Sequence, residues 1–242
     1  MENLQPSART TFSNLPPEKQ EKIVDAAVRE FARHGYKKAS INTIVRDAGI
    51  AKGSLYQYFH NKEELFVFIF ERFTLLVKKA VAEQGRSSVA RTREGESTGV
   101  GPEYDFFSQV GRVLLAGIEF IDRHPEYFQI YLRVLFEQDV PMREKLLAQV
   151  RLFSREYFGP LCEAGQKSGA IRRDVPLAVV IFILDATLDR FLQGYAQGAL
   201  DCDLDLVQRN REELLARIKM ILQVLREGLA DGGTGQQATG RR

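Results

Sequence analysis

Between residues 52 and 62 the chain gathers Lys52, Ser54, Tyr56, Gln57, Tyr58 and Lys62. These side chains suit phosphate and base edges rather than acid–base or nucleophilic chemistry. Ammonium groups and hydroxyls bond phosphate oxygens, and a terminal amide such as Gln57 can pair bidentately with adenine in a major groove. Lys52-Gly53-Ser54 opens a very short helix whose positive end attracts phosphate. Gly53 carries no side chain, so that end can approach a duplex closely. Lys62, one residue into the next helix, adds charge at a second amide-rich terminus.

A short polar helix reads nothing unless packed elements hold it. Upstream, Ile23, Ala26, Ala27 and Phe31 recur at helical spacing behind Pro17, a first-turn proline. Gly35 stops that helix in a left-handed conformation. Ser40 caps a second short helix, Ile41 to Ala48, with Ile44 and Val45 facing inward. Gly49 makes the tight turn, and Ile50 and Leu55 hold the third helix against the first two. Asn61 with Glu64 forms a capping box, Asn standing in for Ser or Thr, and opens a long apolar helix through Leu65, Phe66, Ile69, Phe73 and Leu76. Helix, turn, short polar helix is the order of a helix-turn-helix unit.

Phe31…Gly35-Tyr36, Ala48-Gly-Ile-Ala-Lys-Gly-Ser-Leu-Tyr-Gln-Tyr-Phe59 and Asn61-Lys-Glu-Glu-Leu65 together resemble the tetracycline-repressor (TetR) family of bacterial one-component regulators. The resemblance runs from Pro17 to Phe73, about the first quarter of the chain after a short leader; the remainder matches in length and helical texture. It implies a transcriptional regulator, most often a repressor, that binds a palindromic double-stranded DNA operator as a dimer and is released by a small apolar or amphipathic effector. It places Thr43 against the DNA backbone and the hydroxyls of Tyr56 and Tyr58 at phosphates. One departure is Ala51, where many members carry a Ser or Thr that caps the recognition helix.

Charge agrees with a head that meets an anionic polymer. Residues 1–62 hold ten Lys or Arg against six Asp or Glu, whereas the rest is slightly acidic, within a net charge of +2. At 242 residues the chain can bury a core without staples, and its two cysteines, Cys162 and Cys202, favour a reducing compartment over a disulfide framework. Met1 to Asn14 is polar and does not read as a signal peptide. The longest apolar run, Leu177 to Leu184, is eight residues, well short of the ~20 of a membrane-spanning helix. A soluble, cytoplasmic protein with no membrane partner is expected.

Strand alternation is nearly absent, so the expected fold is all-α with about nine helices. The expected organisation is a flexible leader (1–16), a helix-turn-helix DNA-binding domain (17–62), a helical effector-binding and dimerisation domain (63–230) and a disordered Gly-rich tail (231–242). Within the body, 84–102 reads as a mobile loop, four glycines and three serines with scattered charge. Its arginines, Arg86, Arg91 and Arg93, read as solvated loop charge, with DNA contact as the alternative. Helices follow at about 103–123, 125–138, 142–168, 174–197 and 205–229, with Pro125, Pro141 and Pro176 near starts and Gly169 and Gly198 after ends.

In 174–197, Val180, Ile181, Leu184, Leu188, Phe191, Leu192 and Tyr195 make a wide apolar face. In 205–229, Leu214, Leu215, Ile218, Ile221, Leu222 and Leu225 do the same. Either face could be core; the family resemblance implies that this pair forms a four-helix interface between two protomers. It also implies an effector cavity among helices five to eight. Its candidate lining is Phe107, Tyr127, Tyr131, Phe153 and Tyr157, with Asp185 and Asp189, one turn apart on an apolar helix, as polar contacts.

Enzyme readings find little support. His34, His60 and His124 have no second ligand at metal spacing, and neither a Gly-rich phosphate loop nor a nucleophile elbow is present. No catalytic residue, metal or cofactor is expected. Two alternatives stand beside the regulator: an effector-independent DNA binder of the same fold, and a helical enzyme that borrows it.

Overall fold

The computed structural model describes residues 12–91, 105–201, 203–206 and 210–230, without the side chains of 84–91 and Phe153. The expected leader up to residue 11, loop positions 92–102, Cys202 and the tail 231–242 lie outside the described residues.

Among the described residues every regular element is helical: α1 (Pro17–Lys38), α2 (Ile41–Ala48), α3 (Lys52–Tyr58), α4 (Lys62–Arg91), α5 (Phe106–Arg123), α6 (Pro125–Phe136), α7 (Arg143–Ser168), α8 (Leu177–Ala196) and α9 (Arg211–Leu229), with a 3₁₀ turn at Gly198–Leu200. The sequence explains most boundaries. Pro17 and Pro125 occupy first turns, and Asn210 accepts a hydrogen bond from Glu213 N at 3.0 Å at the start of α9. Two expectations are corrected here. α4 continues through Arg91, so residues 84–91 of the expected loop are helical; one glycine at 85 costs only about 1 kcal/mol in a helix already propagating. The leader is not loose throughout, because Phe12 is buried.

The chain divides into two compact units. The first holds residues up to Ala80 and Glu119–Arg151: α1 to α3, most of α4, the end of α5, α6 and the start of α7. Its core is aromatic and aliphatic, with Phe31, Ile44, Leu55, Phe59, Leu65, Phe66, Ile69 and Phe70 almost fully buried. Phe31 meets Phe66 edge-on at 5.0 Å, which ties α1 to α4. The second unit holds Val81–Ile118 and residues from Leu152 onward. Phe106, Val110 and Leu114 of α5, Phe158 and Cys162 of α7, Val180 and Leu184 of α8 and Ile218 of α9 share one apolar cluster there. Burial pushes the Cys162 thiol up to about 11, so it stays protonated and unreactive.

Candidate nucleic-acid interface

The two short helices of the head are fixed by local chemistry before any packing is counted. Ser40 Oγ accepts a hydrogen bond from Thr43 N at 3.4 Å and caps α2. Gly49 closes α2 with φ 67° and ψ 35°, the left-handed conformation that glycine adopts without strain. α3 then starts on Ala51, which offers no side-chain cap; Ser54 N turns instead to Ala51 O at 3.0 Å. Asn61 Oδ1 accepts from Glu64 N at 2.8 Å, opening α4. Glu64 Oε2 returns the capping box one residue early, accepting from His60 N at 2.8 Å.

α3 is anchored by Leu55, buried with Ile44 and Phe59. Turned outward on the same helix are Lys52, Gly53, Tyr56 and Gln57, with Ser54 half-buried beside them. No heavy atom lies within 4 Å of where a Gly53 side chain would begin, so the surface there is open. Thr43 on α2 is half-buried.

Two predicted residues are placed differently. Tyr58 is buried, packed edge-on against Phe12 with ring centroids 6.0 Å apart; its ring serves as support rather than as a presented contact. Its spacing of three from Leu55 puts it on the inner side of α3. Lys62 is tied back into the head: Nζ donates to Lys37 O and Ala39 O, both at 3.2 Å, and lies 4.7 Å above the Tyr36 ring. It closes the end of α1 and leaves at most one of its three donors for a phosphate.

Residues that sequence reasoning passed over support this surface. Phe12 meets Phe59 at 5.1 Å and Phe68 at 5.3 Å, pinning the chain before α1 beneath α3. Glu30 is buried and accepts from Ser40 N at 2.8 Å. An acid inside the apolar period of Ala26, Ala27 and Phe31 was the signal for it. Arg133 reaches from α6 to the end of α1, donating to Ala32 O and Arg33 O, both at 2.8 Å. Nothing in its sequence neighbourhood marks that reach.

The effector candidates do not all share one unit. Tyr127 and Tyr131 are buried in the first, where Tyr131 stacks on Phe73 at 5.5 Å and 18°. Burial pushes the Tyr127 phenol up to about 12, against the opposing charge and hydrogen bond of Arg72. Phe107, Tyr157, Asp185 and Asp189 belong to the second unit. Phe107 is buried under the Arg226 guanidinium at 5.0 Å, and Asp189 Oδ2 accepts from Gln193 Nε2 at 2.7 Å. The Phe153 side chain lies outside the described residues.

Much of the apolar face read on the terminal helices is core within the subunit. Val180, Leu184, Leu188 and Phe191 of α8, and Leu214, Ile218 and Leu225 of α9, are buried in the subunit's own core. A different face is left open. Val179 is 44% and Phe182 71% exposed on α8, and Met220 is 47% and Val224 69% exposed on α9. No helix among the described residues is long and apolar enough to cross a membrane.

Comparison with known proteins covers both units. The family described as "Bacterial regulatory proteins, tetR family" matches residues 23–68, and "Tetracyclin repressor-like, C-terminal domain" matches 104–230. The HTH-type transcriptional repressor AcnR of Corynebacterium diphtheriae is 26% identical over 200 residues, 79% of this chain and 90% of AcnR. A TetR family transcriptional regulator from Chloroflexus aurantiacus, 27% identical, superposes with a TM-score of 0.58 over 91% of this chain and 97% of that one. The regulator FadR of Bacillus subtilis, solved in complex with stearoyl-CoA, shares the fold with a TM-score of 0.63 at 18% identity, over 86% of this chain and 98% of that one. Matched over its head and over most of its body, this chain belongs to the tetracycline-repressor family of bacterial DNA-binding transcriptional regulators.

Proposed function

We propose that the chain acts as a homodimeric repressor: each head reads half of a palindromic operator, and a small amphipathic effector releases the dimer. The observation that carries the dimer is the solvent-facing apolar stripe on the last two helices. Val179, Phe182 and Ala186 follow at helical spacing on α8, as do Ala216, Met220 and Val224 on α9. A stripe of this kind on both terminal helices is costly in water and is covered when a second copy repeats it. The helix pair is the one expected from sequence; the face is the opposite one.

On the DNA, Lys52, Ser54 and Tyr56 hold phosphates, Gln57 reads a base edge, and Thr43 contacts the backbone. Lys62 contributes mainly by closing α1, and Tyr58 by supporting α3. Half-sites then lie one helical turn or a multiple apart, ~34–36 Å per turn. Footprinting of a sequence enriched from a random-sequence pool tests this; protection of a single half-site, or a monomer in sedimentation, contradicts it.

For the effector, the candidates in the second unit are Phe107, Tyr157, Asp185 and Asp189. They combine aromatic surface with carboxylates, which suits an amphipathic molecule, and the FadR relative holds stearoyl-CoA. Release needs tighter effector binding to the DNA-incompetent state; a hundredfold loss of operator affinity equals about 2.7 kcal/mol of coupling. A thermal-shift series with stearoyl-CoA and shorter acyl thioesters tests the class, since binding raises apparent stability by mass action. Stabilisation without operator release would leave a DNA binder that does not respond to that ligand.

A further inference from the structure

The joint between α1 and α2 is gripped by charged side chains from both directions. At one end, Arg133 of α6 donates through Nε to Ala32 O and through Nη2 to Arg33 O, both at 2.8 Å, while Nη1 pairs with Glu137. These carbonyls lie three and two residues before Gly35, where the regular helical stretch of α1 is interrupted. Gly35 follows with φ 69° and ψ 172°, a combination open essentially to glycine alone. Glu137 Oε2 sits 2.7 Å from where a Gly35 side chain would begin. At the other end, buried Glu30 accepts from Ser40 N at 2.8 Å. Ser40 is the residue that caps α2.

Arg133 therefore braces α1 just before its break at Gly35, ahead of the last turn that Lys62 closes, and Glu30 sets where α2 begins. The joint between them has a backbone conformation that the local sequence does not enforce alone. A shift there moves α2, and with it Thr43 and the turn that launches α3. We propose that Arg133 and Glu30 are positioning residues for DNA binding, acting through the joint without touching DNA. The inference rests on the DNA-binding reading of the head. Two carbonyls held by one planar guanidinium, itself held by Glu137, require the arginine fork; a lysine ammonium supplies only a point donor.

The test uses the full chain and a duplex enriched by the wild-type protein from a random-sequence DNA pool. Arg133→Gln and Glu30→Leu bind it about tenfold more weakly, the scale of a lost charge-assisted hydrogen bond. Arg133→Lys is intermediate. Glu30→Gln keeps an amide oxygen for Ser40 N and binds within about threefold of wild type. The salt slope of binding is unchanged in every variant, because no phosphate contact is removed. Amide exchange accelerates across residues 40–48 of Arg133→Gln and stays unchanged across 65–73 of α4, the signature of a local opening.

Several outcomes overturn the role. Binding equal to wild type in folded Arg133→Gln and Glu30→Leu does so. A salt slope lower by about one makes Arg133 a phosphate contact instead. Affinity loss that follows only the unfolded fraction in a melting curve makes both residues general stabilisers; should Arg133→Gln fail to fold, Arg133→Lys carries the same readouts. Failure of the wild-type chain to enrich any duplex would remove the DNA-binding reading itself, a result distinct from equal binding by wild type and variants.

Discussion

The recognition helix α3 and the terminal pair α8 and α9 each expose side chains that a lone subunit does not use, and they do so in opposite ways. α3 shows Lys52, Tyr56 and Gln57 to solvent and anchors itself by Leu55 and Tyr58. Its exposed groups are polar and well hydrated; they wait for a partner of complementary charge. α8 and α9 show Phe182 and Val224 to solvent while burying Val180, Leu184 and Ile218. Their exposed groups are apolar, and water itself favours covering them. In the proposed complex the first surface gains selectivity from DNA, and in the proposed dimer the second gains stability.

The largest effects come from inverting that second surface. Phe182→Asp places an unpaired charge in the proposed interface twice over by symmetry and weakens dimerisation by on the order of 3–5 kcal/mol. Sedimentation should show a folded monomer that has lost high-affinity operator binding. Val180→Asp, two residues away but in the core, should instead abolish the cooperative melt. If Val180→Asp gave the folded monomer and Phe182→Asp unfolded, the two faces of α8 would have been exchanged.

Next in size is the support beneath α3. Phe12→Ala removes a ring that touches Tyr58, Phe59 and Phe68 and should cost about 3 kcal/mol of stability in chemical denaturation. A loss near zero would return that segment to a loose leader.

Gln57→Ala tests the polar surface directly. It should relax preference at one base pair by about 1–3 kcal/mol while leaving thermal stability unchanged. Tyr56→Phe should weaken binding to all sequences alike. Competition binding with single-base variants of the enriched duplex separates the two; an unchanged preference in Gln57→Ala would move base reading to another residue.

The smallest expected effect belongs to Tyr127, raised to about 12 by burial. An unfolded tyrosine ionises near 10. The folded state favours the neutral phenol, so its stabilisation is complete below about pH 10 and is lost as pH rises toward 12. Tyr127→Phe should therefore decline less over that interval, by about 1–2 kcal/mol. Parallel alkaline denaturation curves for the two proteins would show that the ring has solvent access.

The amino-acid sequence determined the helix-turn-helix unit nearly to the residue. Ser40, Gly49 and Asn61 act within a turn of themselves: a cap, a left-handed φ and a capping acceptor depend on neighbours three or four positions away. The all-helical body was legible for the same reason, since helical periodicity and proline starts are local signals. Tertiary structure decided the rest. α8 is apolar around much of its circumference, so its period could not say which stripe the subunit buries and which it shows. Tyr58 and Lys62 were read from the polar ends of their side chains, and packing against Phe12 and the open carbonyls of Lys37 and Ala39 claimed them. Arg133 lies a hundred residues from the carbonyls it holds. Whether a guanidinium finds such partners depends on which helices come together, and only the folded chain fixes that.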